Sequence, residues 1–131
     1  MQPLSPTQKL VLATRVWLAY ARVRRGLRSA ELPVAVARLG DVRCSRRRHA
    51  PGRLSRAVER TLRVAPDDPT CLVRSLMLFR LLREQGDEAQ IVIGLPEQPT
   101  SHEAHAWVEL DGHVVGPPPG KAGHSEMARF A

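Results

Sequence analysis

A cysteine placed at the front of a helix constrains this chain more than any other feature. From Asp68 to Gly94 the sequence reads DPTCLVRSLMLFRLLREQGDEAQIVIG. Pro69 and Thr70 are helix-start signals, with Thr70 as the N-cap. Leu72, Ser75, Leu76, Leu78, Phe79 and Leu82 recur at helical spacing, and Arg74, Arg80 and Arg83 fall off that face. Gly86 stands where a helix ends in a left-handed C′ residue. Ile91, Val92 and Ile93 then form a β-branched run closed by Gly94, the pattern of a short strand.

Cys71 falls in the first turn of that helix. Unpaired backbone N–H groups and the positive end of the helix dipole favour thiolate there. The same N–H groups can hold an oxyanion during acyl transfer. The competing reading is a small buried hydrophobe, the commoner role of a lone cysteine.

A chain of 131 residues fits one domain. Only 4% of residues are aromatic, so the core must come mainly from Leu, Val and Ala. No signal peptide and no membrane-length apolar run is visible. The expected setting is therefore the reducing cytoplasm, where Cys44 and Cys71 are not expected to form a disulfide. Charge is split along the chain. Residues 1–63 carry 15 Lys or Arg against three acids, and residues 64–131 carry five against 10. The basic half is suited to an acidic peptide, an acidic protein partner or nucleic acid.

Residues 5–25 read as an amphipathic helix with Ser5 as N-cap and Pro6 at N1. Leu10, Ala13, Trp17 and Tyr20, with Val11 and Leu18 beside them, are expected to face inward. Arg15, Arg22, Arg24 and Arg25 are expected outside, and Gly26 to end the helix. Residues 32–39 suggest a second helix, closed by Gly40. Residues 41–52 read as an arginine-rich loop with a Pro51-Gly52 turn. Residues 53–64 suggest a third helix, stopped by Pro66. After the Cys71 helix and the 90–94 strand, residues 95–103 read as a polar loop. Residues 104–110 alternate, with Ala104, Ala106, Val108 and Leu110 on one face and His105, Trp107 and Glu109 on the other. Asp111-Gly112 signals a two-residue hairpin turn, and His113, Val114 and Val115 return antiparallel. Prolines 117–119 end that strand. The expected organisation is a single domain over 1–131. It has a basic helical part (1–64), a catalytic helix with strands (65–119) and a loosely held tail (120–131). Helices first and strands last indicate an α+β fold, a helical part packed on a small antiparallel sheet.

A cysteine on a helix N-terminus and a histidine on a later strand are the halves of a thiol–imidazole pair. The sulfur attacks a carbonyl, and the imidazole takes its proton and returns it to the leaving amine. Such partners need not be close in sequence. The run TCLVRSLMLFRLLREQG, then IVIG, then HAWVELDG resembles the lasso-peptide leader peptidases of the transglutaminase-like cysteine protease superfamily. More narrowly, it is similar to the stand-alone peptidase half of their split form. The resemblance spans roughly residues 65–116 and is weaker in the helical part. It implies a transglutaminase or papain-like core, with Cys71 as nucleophile and His105 as general base. It also implies removal of the leader from a ribosomally made precursor peptide. A separate leader-recognition protein would deliver the substrate and an ATP-using lasso cyclase would close the ring. The peptidase itself needs no cofactor.

One member of the family pattern is missing. Family members usually carry an Asp about a dozen residues beyond the His, after the hairpin. This chain has Val115, Gly116, Pro117 and Pro118 there. With a two-residue turn, Leu110 pairs with His113, Val108 with Val115 and Trp107 with Gly116. The place opposite His105 then falls near Pro117 or Pro118, and proline cannot orient an imidazole. Asp111 is the obvious substitute but lies roughly 20 Å along the strand from His105, and Glu109 about 13 Å. The third member is thus open, with Asp67, Asp68, Asp87, a backbone carbonyl or a water as alternatives.

Other features carry less. His102 and His105 are three apart, which on a strand sets them on opposite faces and argues against a metal site. Cys44 lies among arginines able to lower its pKa, yet a surface thiol without a role is the simpler account. Trp107 reads as packing beside the catalytic strand. The run Arg46-Arg47-Arg48 is a solvated loop or a docking site. No aromatic interleaving or nucleic-acid motif accompanies it. His49, His113 and His124 have no evident partner. Two further readings stay open: an inactive scaffold that binds the precursor or partner proteins, and a basic nucleic-acid-binding domain.

Overall fold

Helix α4 (Cys71–Glu84) is the element against which the others are assembled. The computed structural model describes residues 3–42, 49–65, 70–96, 105–116 and 124–130. Preceding α4 are α1 (Pro6–Ser29), α2 (Leu32–Gly40) and α3 (Pro51–Val64). After it come β1 (Gln90–Pro96), β2 (His105–Leu110), β3 (His113–Val115) and β4 (His124–Phe130). The strands form one antiparallel sheet in the order β3-β2-β1-β4. This is the α+β architecture expected of the sequence. Among the described residues, no helix is long and apolar enough to cross a membrane.

Helix α4 is buried on most of its circumference. Val73, Ser75, Leu76, Met77, Leu78, Phe79, Leu81 and Leu82 are all buried, because three helices and the sheet surround it. Its two ends follow local rules. The Thr70 hydroxyl accepts from the Val73 N–H at 3.1 Å. At the other end Gly86 (φ 92°) takes the left-handed C′ position. Its N–H donates to the Arg83 carbonyl, and that of Asp87 donates to the Leu82 carbonyl, a complete Schellman closure.

Helix α1 begins as expected, with a reciprocal capping box between Ser5 and Gln8. Its buried face, however, is not the expected one. Leu12, Val16, Ala19 and Val23 face the core, whereas Leu10, Val11, Trp17 and Leu18 are exposed. The helix carries two apolar stripes, and the one that packs, Leu12, Val16, Ala19 and Val23, runs for about three turns. Arg15, expected outside, is 5% exposed because the Glu84 carboxylate reaches it from α4 (3.4 Å). Arg22 and Arg80 converge on the same carboxylate at 3.5 and 3.0 Å. Nor does Gly26 end the helix. The chain stays helical to Ser29, with Gly26 packed beside Ala35 of α2.

Two further expectations are corrected. Pro51 and Gly52 open α3 instead of forming a turn before it, since proline at the first helical position loses no hydrogen bond. Residues 124–130 are not a loose tail but strand β4, paired with β1 from Ile91↔Phe130 to Pro96↔His124 with a register shift at Ile93/Gly94. Strand β1 therefore runs to Pro96, into the segment read as loop, and lies in the sheet interior. The hairpin is as expected. Asp111 (φ 52°) and Gly112 (φ 79°) both take positive φ, and Leu110 pairs with His113 and Val108 with Val115. Cys44, Asp67, Asp68, Pro66, His102 and prolines 117–119 lie outside the described residues.

Candidate active site

Cys71 is the first residue of α4 and is half-buried. The Thr70 cap holds the Val73 N–H, so the first turn of α4 is ordered from its start. His105 is the first residue of β2 and is also half-buried. Their relative placement follows from chain direction. Helix α4 ends at Glu84 and β1 starts at Gln90, so β1 runs back along α4 and its later residues approach the Cys71 end. Gly94, late in β1, pairs with His105. One hydrogen bond ties this register to the helix: the Ser75 hydroxyl donates to the Ala106 carbonyl at 3.0 Å, and the contact is buried. Ser75 is one turn past Cys71, about 6 Å along the axis, and Ala106 is the residue after His105. The starts of α4 and β2 thus lie at the same end of the helix–sheet contact.

Side-chain alternation adds a detail. Val108 joins the core shared with α4. His105, Trp107 and Glu109 belong to the other face of β2.

The candidate orienting carboxylates lie elsewhere. Asp111 sits exposed in the hairpin turn, at the opposite end of β2 from His105. Asp87 follows the far end of α4, which is about 20 Å long, and its carboxylate accepts from Gln85 Nε2 at 2.7 Å. Glu109 is engaged as well. It accepts from the Trp107 indole N–H at 2.8 Å and from Arg129 of β4 at 3.1 Å. Burial pushes the Glu109 carboxyl up, but the bonds from Trp107 and Arg129 and the Arg129 charge outweigh it and hold the carboxyl below its ordinary range. Trp107 is packing, as expected, and its N–H fastens the neighbouring carboxylate.

Ser75 escaped the sequence reading as a site residue. It sits within the apolar face of α4, where a hydroxyl among leucines is the only sequence signal of its bond to Ala106. His113 is exposed in β3 and His49 lies between the arginine-rich stretch and α3, far from any shared cluster in sequence. Among the described residues, no group of three His, Cys, Asp or Glu side chains is arranged to hold a metal ion.

The transglutaminase-like superfamily matches residues 13–129. The chain belongs to that superfamily. The match extends well beyond the 65–116 segment and takes in most of α1, all of α2 and α3, and nearly all of β4. The transglutaminase-like superfamily generally includes cysteine peptidases and acyltransferases. No curated protein and no solved structure matches the chain.

Proposed function

We propose that this transglutaminase-like protein is a cysteine peptidase that removes the leader from a lasso-type precursor peptide in the cytoplasm. The observation that carries the reading is the anchoring of the Cys71 end of α4 to the His105 end of β2 through Ser75 and Ala106. The resemblance in the 65–116 segment supplies the substrate class.

In this reading Cys71 Sγ attacks the carbonyl carbon of the scissile peptide bond, and its proton passes to His105. Backbone N–H groups in the first turn of α4 receive the developing oxyanion. The C–N bond breaks as the imidazolium protonates the leaving amine, leaving a thioester on Cys71. Water then attacks the thioester and gives a proton to His105. The carboxylic acid departs, and the sulfur leaves as thiolate, reprotonated by the imidazolium. A leader-recognition protein brings the precursor, and a lasso cyclase takes the released core. Asp111 and Asp87 are too distant to orient His105, so that role falls to another group.

The test is incubation of the purified protein with a precursor peptide and its leader-binding partner, read by mass spectrometry. Wild type should yield separate leader and core, and Cys71→Ala only intact precursor. Identical intact precursor from both ends the peptidase reading. The second reading, a scaffold that binds without cutting, is favoured by the sequence at Pro117 and Pro118, the place opposite His105, which carries no carboxylate. Binding without cleavage separates the two: a scaffold holds the precursor, and wild type and Cys71→Ala both leave it intact.

A further inference from the structure

Two neighbouring cavities lie along the outer side of α3, and neither belongs to the thiol–imidazole pair. The first, about 240 Å³, is a groove between α1 and α3. Its floor is apolar, formed by Leu12, Val16 and Ala57. Its rim is cationic, formed by Lys9, Arg53, Arg56 and Arg60. No acidic residue is among the described residues that line it. The second, about 440 Å³, shares Arg56 and Arg60 with the first and adds Arg63. Its other borders are informative. Glu59 lines it and is ion-paired with Arg74, which stands on α4 one turn past Cys71. Gly116 lines it too, and lies just past β3 at the His105 half of the hairpin. The track therefore starts in an apolar groove with a positive rim and ends at Gly116, just past β3, with its Glu59 wall ion-paired to Arg74 of α4.

We propose that this track binds an acidic, amphipathic segment of the polypeptide that the active site cuts. The inference rests on the peptidase reading for its occupant but not for its chemistry. Apolar side chains of the segment lie on Leu12, Val16 and Ala57. Its carboxylates face Lys9, Arg53, Arg56 and Arg60, and the chain continues past Arg63 toward Cys71. Charge complementarity selects an acidic ligand. The apolar floor selects peptide over nucleic acid, since no aromatic ring lines either cavity to stack a base.

The experiment uses the full chain with Cys71→Ala, so that binding is read without cleavage. The probe is a short fluorescein-labelled peptide of alternating glutamate and leucine, followed by anisotropy at several salt concentrations. Comparison ligands are the same peptide with serine for leucine, the same with lysine for glutamate, and a labelled oligothymidine. The glutamate–leucine peptide should bind best and weaken with salt. The exposed pair Arg56→Glu and Arg60→Glu should weaken it at least about tenfold. Ala57→Gln, which puts an amide on the apolar floor, should weaken the leucine peptide and leave the serine peptide unchanged. Circular dichroism confirms that each variant is folded. Equal binding of the serine peptide, tighter binding of oligothymidine, or indifference to the charge reversals would each overturn the proposal. Cleavage of a precursor with no peptide binding at this track would leave the peptidase reading intact and remove only this one.

Discussion

The hydroxyl of Ser75 donates to the carbonyl of Ala106 at 3.0 Å, and that bond registers the cysteine helix against the histidine strand. Ser75→Ala keeps the helix but leaves a buried carbonyl without this donor. The expected loss is about 1–2 kcal/mol, seen as a lower denaturant midpoint. If the bond also sets the thiol–imidazole geometry, turnover falls by more than the folded fraction does. Cleavage rates on samples checked by circular dichroism test this.

Glu84 is the second fixed point. Its buried carboxylate meets Arg15, Arg22 and Arg80. Glu84→Ala takes this carboxylate away from Arg15, which is itself only 5% exposed. Breaking a buried ion pair from one side costs roughly 3–5 kcal/mol. Arg15→Met combined with Glu84→Met should be better tolerated than Glu84→Ala, because it removes both charges. Urea titrations of the three proteins decide it.

The Glu109 carboxyl gives the sheet a pH dependence of known sign. Its folded pKa lies below the unfolded value. The stability it contributes is fully present above the ordinary carboxylate range and is lost as pH falls through the lowered folded pKa. Wild type should lose melting temperature on acidification more steeply than Glu109→Gln. The difference between the two should close at the acid end of a scan from roughly pH 7 to pH 3.

Gly116 is a steric requirement. Its φ is +87°, and a Cβ there would stand 2.7 Å from the Ser55 hydroxyl of α3. Gly116→Ala should cost about 1–2 kcal/mol for the left-handed backbone alone, with the clash in addition. Adding Ser55→Ala should recover the clash but not the backbone cost. Non-additive midpoints in a double-mutant cycle would confirm the contact.

The legible parts of this molecule are those set by local chemistry. Thr70, Gly86 and Asp111-Gly112 act through caps and turns that need only their neighbours, so the cysteine helix and the hairpin could be read directly. Tertiary choices could not. Helix α1 offers two apolar stripes, and only the arrival of α4 with Glu84 selects the one that buries Arg15. Pro51 signals both a turn and a helix start, and packing of Leu54 and Val58 decides for the helix. Strand β4 has the sequence HSEMARF, with no β-branched residue, and owes its conformation to the open edge of β1. The candidate site shows the same division. The helix and strand that carry Cys71 and His105 follow from local signals, whereas the fastener at Ser75 and the engagement of Glu109 depend on partners distant in sequence.

The sheet order also has a bearing on how the chain matures. Strand β1 finds one neighbour promptly, from the hairpin that follows it, but its other flank waits for residues 124–130. Until that segment arrives, β1 presents bare amide and carbonyl groups to any passing extended peptide. A copy lacking those residues should be sticky before it is merely idle, precipitating or pairing with its own kind. Strand β4 thus closes the flank of β1 and moves the sheet's edge one strand outward.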